Sequence, residues 1–471
     1  MDKSLFYDDN HVFSRLSDKF AENNSIPQND FTRFPVKRGL RNTDGTGVMV
    51  GLTKICNVEG YYIDDGERVP KPGRLIYRGI DLYDFVGGCK ADDRFGFEEL
   101  VFLLIFGSLP TKEELDGFCA LLAANRELPH DFVEDVIMRA PSPNIMNKMA
   151  SSVTALYAYD ENPDDISVEN VLRQSIQLIA QLPAIMSYAY QVKRRFFYRK
   201  SMYIHQVKPE QKTAEVVLRS IRSDKTFTEK EAKLLDLCLM IHADHGGGNN
   251  STFTTRCISS TGTDTYSAIG AGIGSLKGFR HGGANIKVTE MVENIFANVN
   301  DVTDEDEVKE YLRRIVRKEA NDNSGLIYGM GHAIYTLSDP RAVLLKQNAK
   351  ELAEENGLLR EWKLLDSIER LAPVVFAEEK GFSKQICANV DLYSGLVYRT
   401  LNIPEDLYTP MFAVARVAGW CAHRLEEVAT CSRIMRPAYK SIARPQQYFE
   451  LDNRTVGSSD ASKLYIPKEE R

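Results

Sequence analysis

The sequence lacks the features that would direct it into a membrane or out of the cell. Its longest strongly apolar run covers only residues 100–106, whereas a helix needs about 20 apolar residues to span a bilayer. The first ten residues are more acidic than basic and contain no apolar core of the kind that a signal peptide requires. We therefore expect a cytoplasmic protein that does not use a membrane.

Paired cysteines and a strong charge of either sign are also missing. None of the eight cysteines stands in C-x-x-C spacing, and a chain of 471 residues is too long to need disulfides, so we expect free thiols in a reducing compartment. The net charge is only -7 and the basic residues are dispersed, which argues against a nucleic-acid partner. With 43% hydrophobic and 27% charged residues, the composition indicates a globular protein rather than a disordered one.

The apolar pattern changes along the chain. Residues 45–78 are rich in β-branched residues and turn residues, which predicts a small sheet or a pair of hairpins. Beyond residue 80 apolar residues recur at three and four residues, as they do across residues 172–186, and this spacing is typical of helices. We therefore predict a mostly α fold with a small N-terminal β region.

Two helices are predicted beside candidate functional residues. Residues 228–231 have the spacing of a capping box, so a helix should begin near residue 229 and carry His242 at its far end. A second helix is predicted for residues 265–277 and should stop at a glycine, just before His281.

Three separated segments carry residues that suit carbonyl chemistry. The first is GMGHAIYTLSDPR, in which glycines let the backbone approach a ligand, His332 can donate a hydrogen bond and Arg341 offers a planar fork for a carboxylate. The second is GFRHGGAN, which contains His281, and the third is NVDLYSG, which contains Asp391. Taken singly, each of these residues is more often a turn or capping residue.

Together the three segments resemble, in sequence and in order, the active-site motifs of the citrate synthase family. The resemblance extends from the segment GRLIYRGI, which begins at Gly73, as far as Arg444. It implies a two-domain helical fold in which residues 1–282 and 402–471 form a large domain. Residues 283–401 would form a small domain that closes over the substrate and excludes water. The resemblance also implies a homodimer.

The resemblance implies a role for each of the three motif residues. A thioester methyl is a weak acid, so a carboxylate must take its proton while a donor stabilises the charge that develops on the thioester oxygen. The family implies Asp391 as this base, His281 as the donor to the thioester oxygen and His332 as the donor to the ketone of oxaloacetate. The implied reaction condenses acetyl-CoA, a co-substrate, with oxaloacetate and water to give citrate and CoA, without a metal or other cofactor.

The family also implies four residues that bind oxaloacetate. They are His245, Arg341, Arg416 and Arg444. Arg416 lies on a helix predicted for residues 411–427, and Arg444 would reach the site of the neighbouring subunit. An arginine can equally form a surface ion pair worth about 0–1 kcal/mol, and that interpretation stays open for Arg444.

Three other functions remain open from the sequence. A 2-methylcitrate synthase would use propionyl-CoA, and its one extra methylene is worth only about 1–3 kcal/mol, which no motif here registers. His242, Asp244 and His245 could instead ligate zinc in a hydrolase, although they do not match H-E-x-x-H and no third ligand motif is near. A non-catalytic helical assembly protein would need one of the three motif residues to be altered, and all three are intact.

Overall fold

The computed structural model describes residues 16–17, 20–21, 26–34, 36–381, 385–430, 433–443, 448 and 450–453. The chain divides into two compact units, one of residues 51–435 and the other of residues 1–50 together with 436–471. The described part of the second unit contains a helical turn and two short 3-10 segments, at Asp30–Arg33, Arg38–Leu40 and Leu451–Asn453. Every candidate site residue that the structure describes lies in the first unit.

The small sheet predicted near the N-terminus is present in the first unit. Its strands are β1 (Cys56–Asp64), β2 (Glu67–Tyr77) and β3 (Ile80–Asp81), in the antiparallel order β1-β2-β3. The prediction for residues 45–78 is thus confirmed as one long hairpin with a short third strand, although the first strand begins only at residue 56.

The hairpin packs against the loop that follows His332. A Cβ added to Gly60 in β1 would lie 2.6 Å from the Ile334 carbonyl oxygen, and one added to Gly73 in β2 would lie 2.1 Å from the Ser338 carbonyl oxygen. The Gly73 amide also donates to the Ser338 hydroxyl at 3.1 Å. Because no side chain fits at either position, the two glycines allow the sheet to support this loop closely.

The rest of the first unit is mostly helical, which confirms the predicted mostly α fold. Between the helices lie a π-helical turn and two 3-10 turns, at Val133–Met138, Leu156–Tyr159 and Glu405–Leu407. The helices in chain order are α1 (Leu82–Ala91), α2 (Phe97–Phe106), α3 (Lys112–Ala124), α4 (Ile145–Ala155), α5 (Val168–Phe196), α6 (Thr213–Ile221), α7 (Glu229–His242), α8 (Asn250–Ser259), α9 (Thr265–Lys277), α10 (Ala284–Asn298), α11 (Glu305–Val316), α12 (Pro340–Glu355), α13 (Leu359–Lys380), α14 (Val390–Thr400) and α15 (Tyr408–Thr430).

The helices predicted beside candidate residues are found at the expected positions. At the start of α7 the Thr228 hydroxyl accepts from the Glu231 amide, and the Glu231 carboxylate accepts from the Thr228 amide, which are the two halves of a capping box. α9 covers the predicted residues 265–277. α15 extends beyond the predicted residues 411–427 at both ends.

α15 packs against α5 in the middle of the core. It is buried along most of its length, yet two of the largest fully buried side chains in the protein are its Arg416 and Arg424. A charged group inside a helical core is costly unless it has partners. The residues around these two arginines are therefore where we look for buried polar partners and for a candidate site.

Three other expectations bear on the chain as a whole. Within the described residues, none of the helices combines the length and the apolar character that crossing a membrane requires. Seven cysteines, at positions 56, 89, 119, 238, 257, 387 and 421, are free thiols. The division into a large domain of residues 1–282 and 402–471 and a small domain of residues 283–401 stays a prediction.

Candidate active site

The end of α7 and the turn after it carry three buried residues, His242, Asp244 and His245. The turn passes through Gly246 at a φ of 79°, and the Gly246 amide donates to Asp244 Oδ2 at 3.0 Å. His245 Nε2 is buried and has no hydrogen-bond partner among the described residues. Burial, and then the charge of Arg341, hold the pKa of His245 well below its ordinary value, so this imidazole is neutral at physiological pH.

The loop before α12 places His332 against His245. The two rings lie edge to face with centroids 5.2 Å apart, and the His332 ring stacks on Tyr335 at 4.6 Å. His332 Nδ1 accepts hydrogen bonds from the amides of Ile334 and Tyr335, each at 3.1 Å. Two amide donors require a lone pair on Nδ1, so the proton of the neutral tautomer is on Nε2. His332 Nε2 is therefore the donor atom of this ring.

Asn389 joins the His332 loop to the start of α14. Its backbone amide donates to the Gly329 carbonyl and its Nδ2 donates to the Gly331 carbonyl, each at 2.9 Å. Its Oδ1 caps α14 by accepting from the Asp391 amide at 3.0 Å. Gly329 and Gly331 have φ values of 81° and 91°, a region that favours glycine. One side chain thus fixes the relative positions of His332 and Asp391.

Asp391 lies in the first turn of α14 and is partly buried. Burial raises the pKa of its carboxyl from 3.8 to about 6; the charge of Arg341 opposes this rise and that of Asp339 adds to it. A carboxylate with this pKa is mostly ionised at neutral pH and is a stronger base than an ordinary aspartate. Its environment therefore suits proton abstraction.

His281 follows α9 and faces Ser251 of α8. The Ser251 amide donates to His281 Nε2 at 3.4 Å, and Ser251 Oγ lies 3.1 Å from the same atom. Ser251 Oγ is held in turn by the indole N–H of Trp420 at 3.1 Å. Because the backbone N–H of Ser251 can only donate, His281 Nε2 is the acceptor, and the proton of the neutral ring is on Nδ1. Burial, and then the charge of Arg416, lower the pKa of His281 to about 4, so the ring is a neutral donor.

Arg341 and Arg416 are both buried but differ in their partners. Arg341 Nε and Nη2 donate to the two carboxylate oxygens of Asp339, at 3.0 and 2.7 Å. Burial lowers the pKa of Arg341, but this pairing outweighs it and the net shift is upward. Arg416 Nε donates to the His242 carbonyl oxygen at 2.6 Å, whereas its Nη1 and Nη2 have no hydrogen-bond partner among the described residues. Burial lowers the pKa of Arg416 to about 10, although Asp244 opposes this shift.

The structure brings together all the candidate site residues that it describes. The two arginines connect them, because Arg341 interacts electrostatically with His245 and Asp391. Arg416 interacts in the same way with His245 and His281. The resulting cluster consists of His245, His281, His332, Arg341, Asp391 and Arg416.

Arg444 lies outside the described residues, so its part in a neighbouring site stays a prediction. The roles of the other residues also stay predictions, since the presence of these imidazoles, arginines and a carboxylate in one region does not by itself identify the reaction.

Three residues that shape the site were not predicted: Ser251, Asp339 and Asn389. Two of them had a local signal, since asparagine and aspartate favour helix N-caps and each stands two residues before a candidate residue. At Asp339 the signal is stronger, because Pro340 takes the first helical position. Ser251 had no such signal, since it meets His281 only through the packing of α8 against α9.

The zinc site considered from the sequence is not assembled. Nowhere in the described part of the chain do three His, Cys, Asp or Glu side chains group so that they could hold a metal ion. His242 Nδ1 donates to the Cys238 carbonyl at 2.8 Å, Asp244 pairs with His423 and His245 faces His332. The three proposed ligands therefore diverge.

Comparison with known proteins identifies the family to which this site belongs. The sequence model described as "Citrate synthase, C-terminal domain" matches residues 41–438. The chain belongs to the citrate synthase family. A citrate synthase from Haloferax volcanii is 34% identical over 410 residues, which are 85% of this chain and 94% of that protein. The crystal structure of citrate synthase from Thermotoga maritima aligns with a TM-score of 0.69 at 27% identity, covering 89% of this chain and 99% of that one.

The same fold is found in the citrate synthase of Thermoplasma acidophilum, solved as a ternary complex with carboxymethyl coenzyme A and oxaloacetate. The TM-score is 0.70 at 24% identity, over 89% of this chain and 99% of that chain, a similarity that concerns the fold. Membership of the citrate synthase family confirms the predicted family, the helical fold and the acyltransferase class of the enzyme. It does not distinguish acetyl-CoA from propionyl-CoA as the substrate.

Proposed function

We propose that this enzyme condenses acetyl-CoA with oxaloacetate and hydrolyses the resulting citryl thioester to citrate and CoA. The observation that carries the proposal is the buried end of Arg416, whose Nη1 and Nη2 have no partner among the described residues. Leaving a buried charge unpaired is strongly unfavourable, so this arrangement favours a ligand that supplies the missing acceptors. A carboxylate does so with two parallel hydrogen bonds.

Oxaloacetate matches the other donors of the cluster. It has two carboxylates with a ketone between them, and the cluster has two arginines with the His332 Nε2–H among them. Asp339 engages Arg341 through Nε and Nη2, which leaves Nη1 for the second carboxylate. We propose that His332 donates to the ketone oxygen and so makes the ketone carbon electrophilic.

The carbon nucleophile requires a base and a second donor. We propose that Asp391 takes a proton from the methyl group of acetyl-CoA while His281 Nδ1–H donates to the thioester oxygen. The enol carbon then attacks the ketone carbon of oxaloacetate; the enol oxygen loses its proton as the thioester carbonyl re-forms, and the ketone oxygen takes up a proton to become the hydroxyl of citryl-CoA. Water then cleaves the thioester, which gives a carboxylate and releases CoA as its thiol. A positioned base typically contributes about 10²- to 10⁴-fold and one donor at a developing oxyanion about 3 kcal/mol, so each of these residues should matter strongly.

We further propose a cytoplasmic homodimer in which Arg444 of each subunit completes the oxaloacetate site of the other, and a reaction that needs no metal or other cofactor. The family resemblance supports the dimer and Arg444, and the free cysteines fit a reducing compartment.

The test is release of CoA thiol from acetyl-CoA, which should occur only when oxaloacetate is present. Asp391→Asn should lower kcat by about 10²- to 10⁴-fold, because the base is lost. Asp116→Asn is the matched control, since Asp116 is exposed on α3 and its variant should keep full activity. Thiol release without oxaloacetate, or full turnover by Asp391→Asn, would refute the proposal.

A second measurement addresses the acyl group. The values of kcat/KM for acetyl-CoA and propionyl-CoA should favour acetyl-CoA. A preference for propionyl-CoA would replace the proposal with 2-methylcitrate synthase.

A further inference from the structure

Three polar residues and a glycine form a stripe along one side of the buried helix α15. Its members recur at intervals of three and four residues, which places them on one side of a helix. They are Arg416, Gly419, His423 and Glu427. The stripe faces the segment between α7 and α8, since the Gly419 amide donates to the Ala243 carbonyl at 3.1 Å.

Asp244 lies against this stripe between Arg416 and His423. A Cβ added to Gly419 would lie 2.5 Å from Asp244 Oδ1, so the helix must have glycine there. Asp244 Oδ2 accepts from the Gly246 amide at 3.0 Å and pairs with His423 Nε2 at 3.2 Å. Asp244 Oδ1 is buried and accepts no hydrogen bond from a nitrogen or oxygen donor among the described residues, and the buried Cys56 thiol is a further neighbour of this carboxylate.

His423 is held from its other side by Arg256. Arg256 Nη1 donates to His423 Nδ1 at 2.9 Å and to Glu426 Oε2 at 2.7 Å, and Arg256 Nη2 pairs with Glu427 Oε2 at 2.9 Å. Arginine cannot accept a hydrogen bond, so His423 Nδ1 is the acceptor and His423 Nε2–H donates to Asp244. The ring is fully buried with both nitrogens engaged, so it has one orientation and one tautomer.

The two arginines of the site therefore have different counter-ions. Asp339 binds the Arg341 guanidinium directly through two hydrogen bonds. Asp244 stabilises the charge of Arg416, but neither Nη group of Arg416 has a hydrogen-bond partner among the described residues. Rotation of the Asp244 carboxylate onto Arg416 would occupy the atoms that a ligand carboxylate needs.

We propose that His423, fixed by Arg256, is a positioning residue that holds Asp244 off the Arg416 guanidinium and so keeps both Nη groups for a substrate carboxylate. This inference rests on the proposed function, in which Arg416 binds oxaloacetate. The His423 side chain does not itself touch the substrate.

Two amide substitutions at one position separate the two contacts of the ring. In His423→Gln the amide nitrogen reaches the place of Nε2 and can still donate to Asp244. In His423→Asn the shorter amide reaches only the place of Nδ1, so Asp244 loses its donor. We expect His423→Asn to raise KM for oxaloacetate by about tenfold or more, since a competing ion pair must then be displaced. KM for acetyl-CoA should change much less, and His423→Gln should stay close to the wild type.

Two further variants make the result decisive. Cys421→Ala, on the same buried helix, should lower the melting temperature without changing KM for oxaloacetate. Arg256→Lys keeps the positive charge but lacks the guanidinium group that fixes His423, so it should show the same rise in KM for oxaloacetate. This variant can replace His423→Asn if His423→Asn does not fold. Equal KM values for His423→Asn and His423→Gln, or a loss of kcat and stability alone, would overturn the inference.

Binding of oxaloacetate without acetyl-CoA, measured by calorimetry, separates this inference from the proposed function. If the wild type binds oxaloacetate but releases no thiol, the proposed function fails. The affinities of His423→Asn and His423→Gln for oxaloacetate then still test the role of His423. If the wild type is active and the two variants bind oxaloacetate equally, only the inference about His423 fails.

Discussion

The partly buried carboxylate of Asp391 should destabilise the fold at neutral pH. Its pKa rises from 3.8 to about 6 on folding, and each pH unit of such a difference corresponds to about 1.36 kcal/mol. The ionised form therefore costs the folded state up to about 3 kcal/mol relative to the protonated form. Asparagine has nearly the same shape and never ionises, so Asp391→Asn should remove this cost together with the activity.

The sign of the effect depends on pH. Below pH 3.8 the folded and unfolded chains both keep the proton on Asp391, so its ionisation has no effect on stability. Between pH 3.8 and about 6 the unfolded chain loses the proton first, and the wild type loses stability as pH rises. Above pH 6 the full cost is present. Because water reaches part of this side chain, we set the expected advantage of Asp391→Asn at about 1–3 kcal/mol at pH 8.

The assay is urea unfolding of wild type and Asp391→Asn at a series of pH values from 4.5 to 8, at equal protein concentration. The difference in the free energy of unfolding should grow with pH and level off above pH 7. Asp116→Asn, the exposed control, should show no such trend. A difference that is independent of pH, or a variant less stable than the wild type at pH 8, would refute the reasoning about burial.

Four other outcomes are expected. In the wild type, kcat/KM should fall about tenfold per pH unit below pH 6, because the base must be ionised; a flat profile down to pH 5 would exclude Asp391 as the base. Arg416→Met should weaken oxaloacetate binding by about 100-fold, the loss expected of a buried charge pair, and an unchanged affinity measured by calorimetry would exclude this carboxylate site. Gly419→Ala should destabilise by about 1–3 kcal/mol in urea unfolding, since its Cβ would lie 2.4 Å from the Ala243 carbonyl oxygen, whereas Gly117→Ala, with nothing within 4 Å, should be neutral or stabilising. Treatment with EDTA should leave thiol release unchanged, and loss of activity that zinc restores would revive the metal hypothesis.

Local patterns in the sequence were enough for the fold class, whereas the candidate site residues came from the resemblance of three motifs to the citrate synthase family. The capping box at Thr228 and the spacing of apolar residues depend on neighbours a few positions away, so they can be read from the chain alone. The glycines around His332 likewise predict a backbone turn, because glycine adopts the left-handed conformations that such turns need. For the same reason Asn389 and Asp339 could have been predicted, since capping residues have a local signal.

The sequence by itself therefore determined the family, the helical fold and which imidazoles, arginines and carboxylate to consider. Only the tertiary structure decided their chemical states: which nitrogen of His281 and His332 carries the proton, and why Asp391 is a stronger base than an ordinary aspartate. It also decided that Asp339 pairs with Arg341, while Arg416 keeps two groups that have no partner in the described part of the chain. These properties depend on burial and on contacts between distant residues, such as Arg256 and His423, which lie 167 positions apart, and no local pattern contains that information.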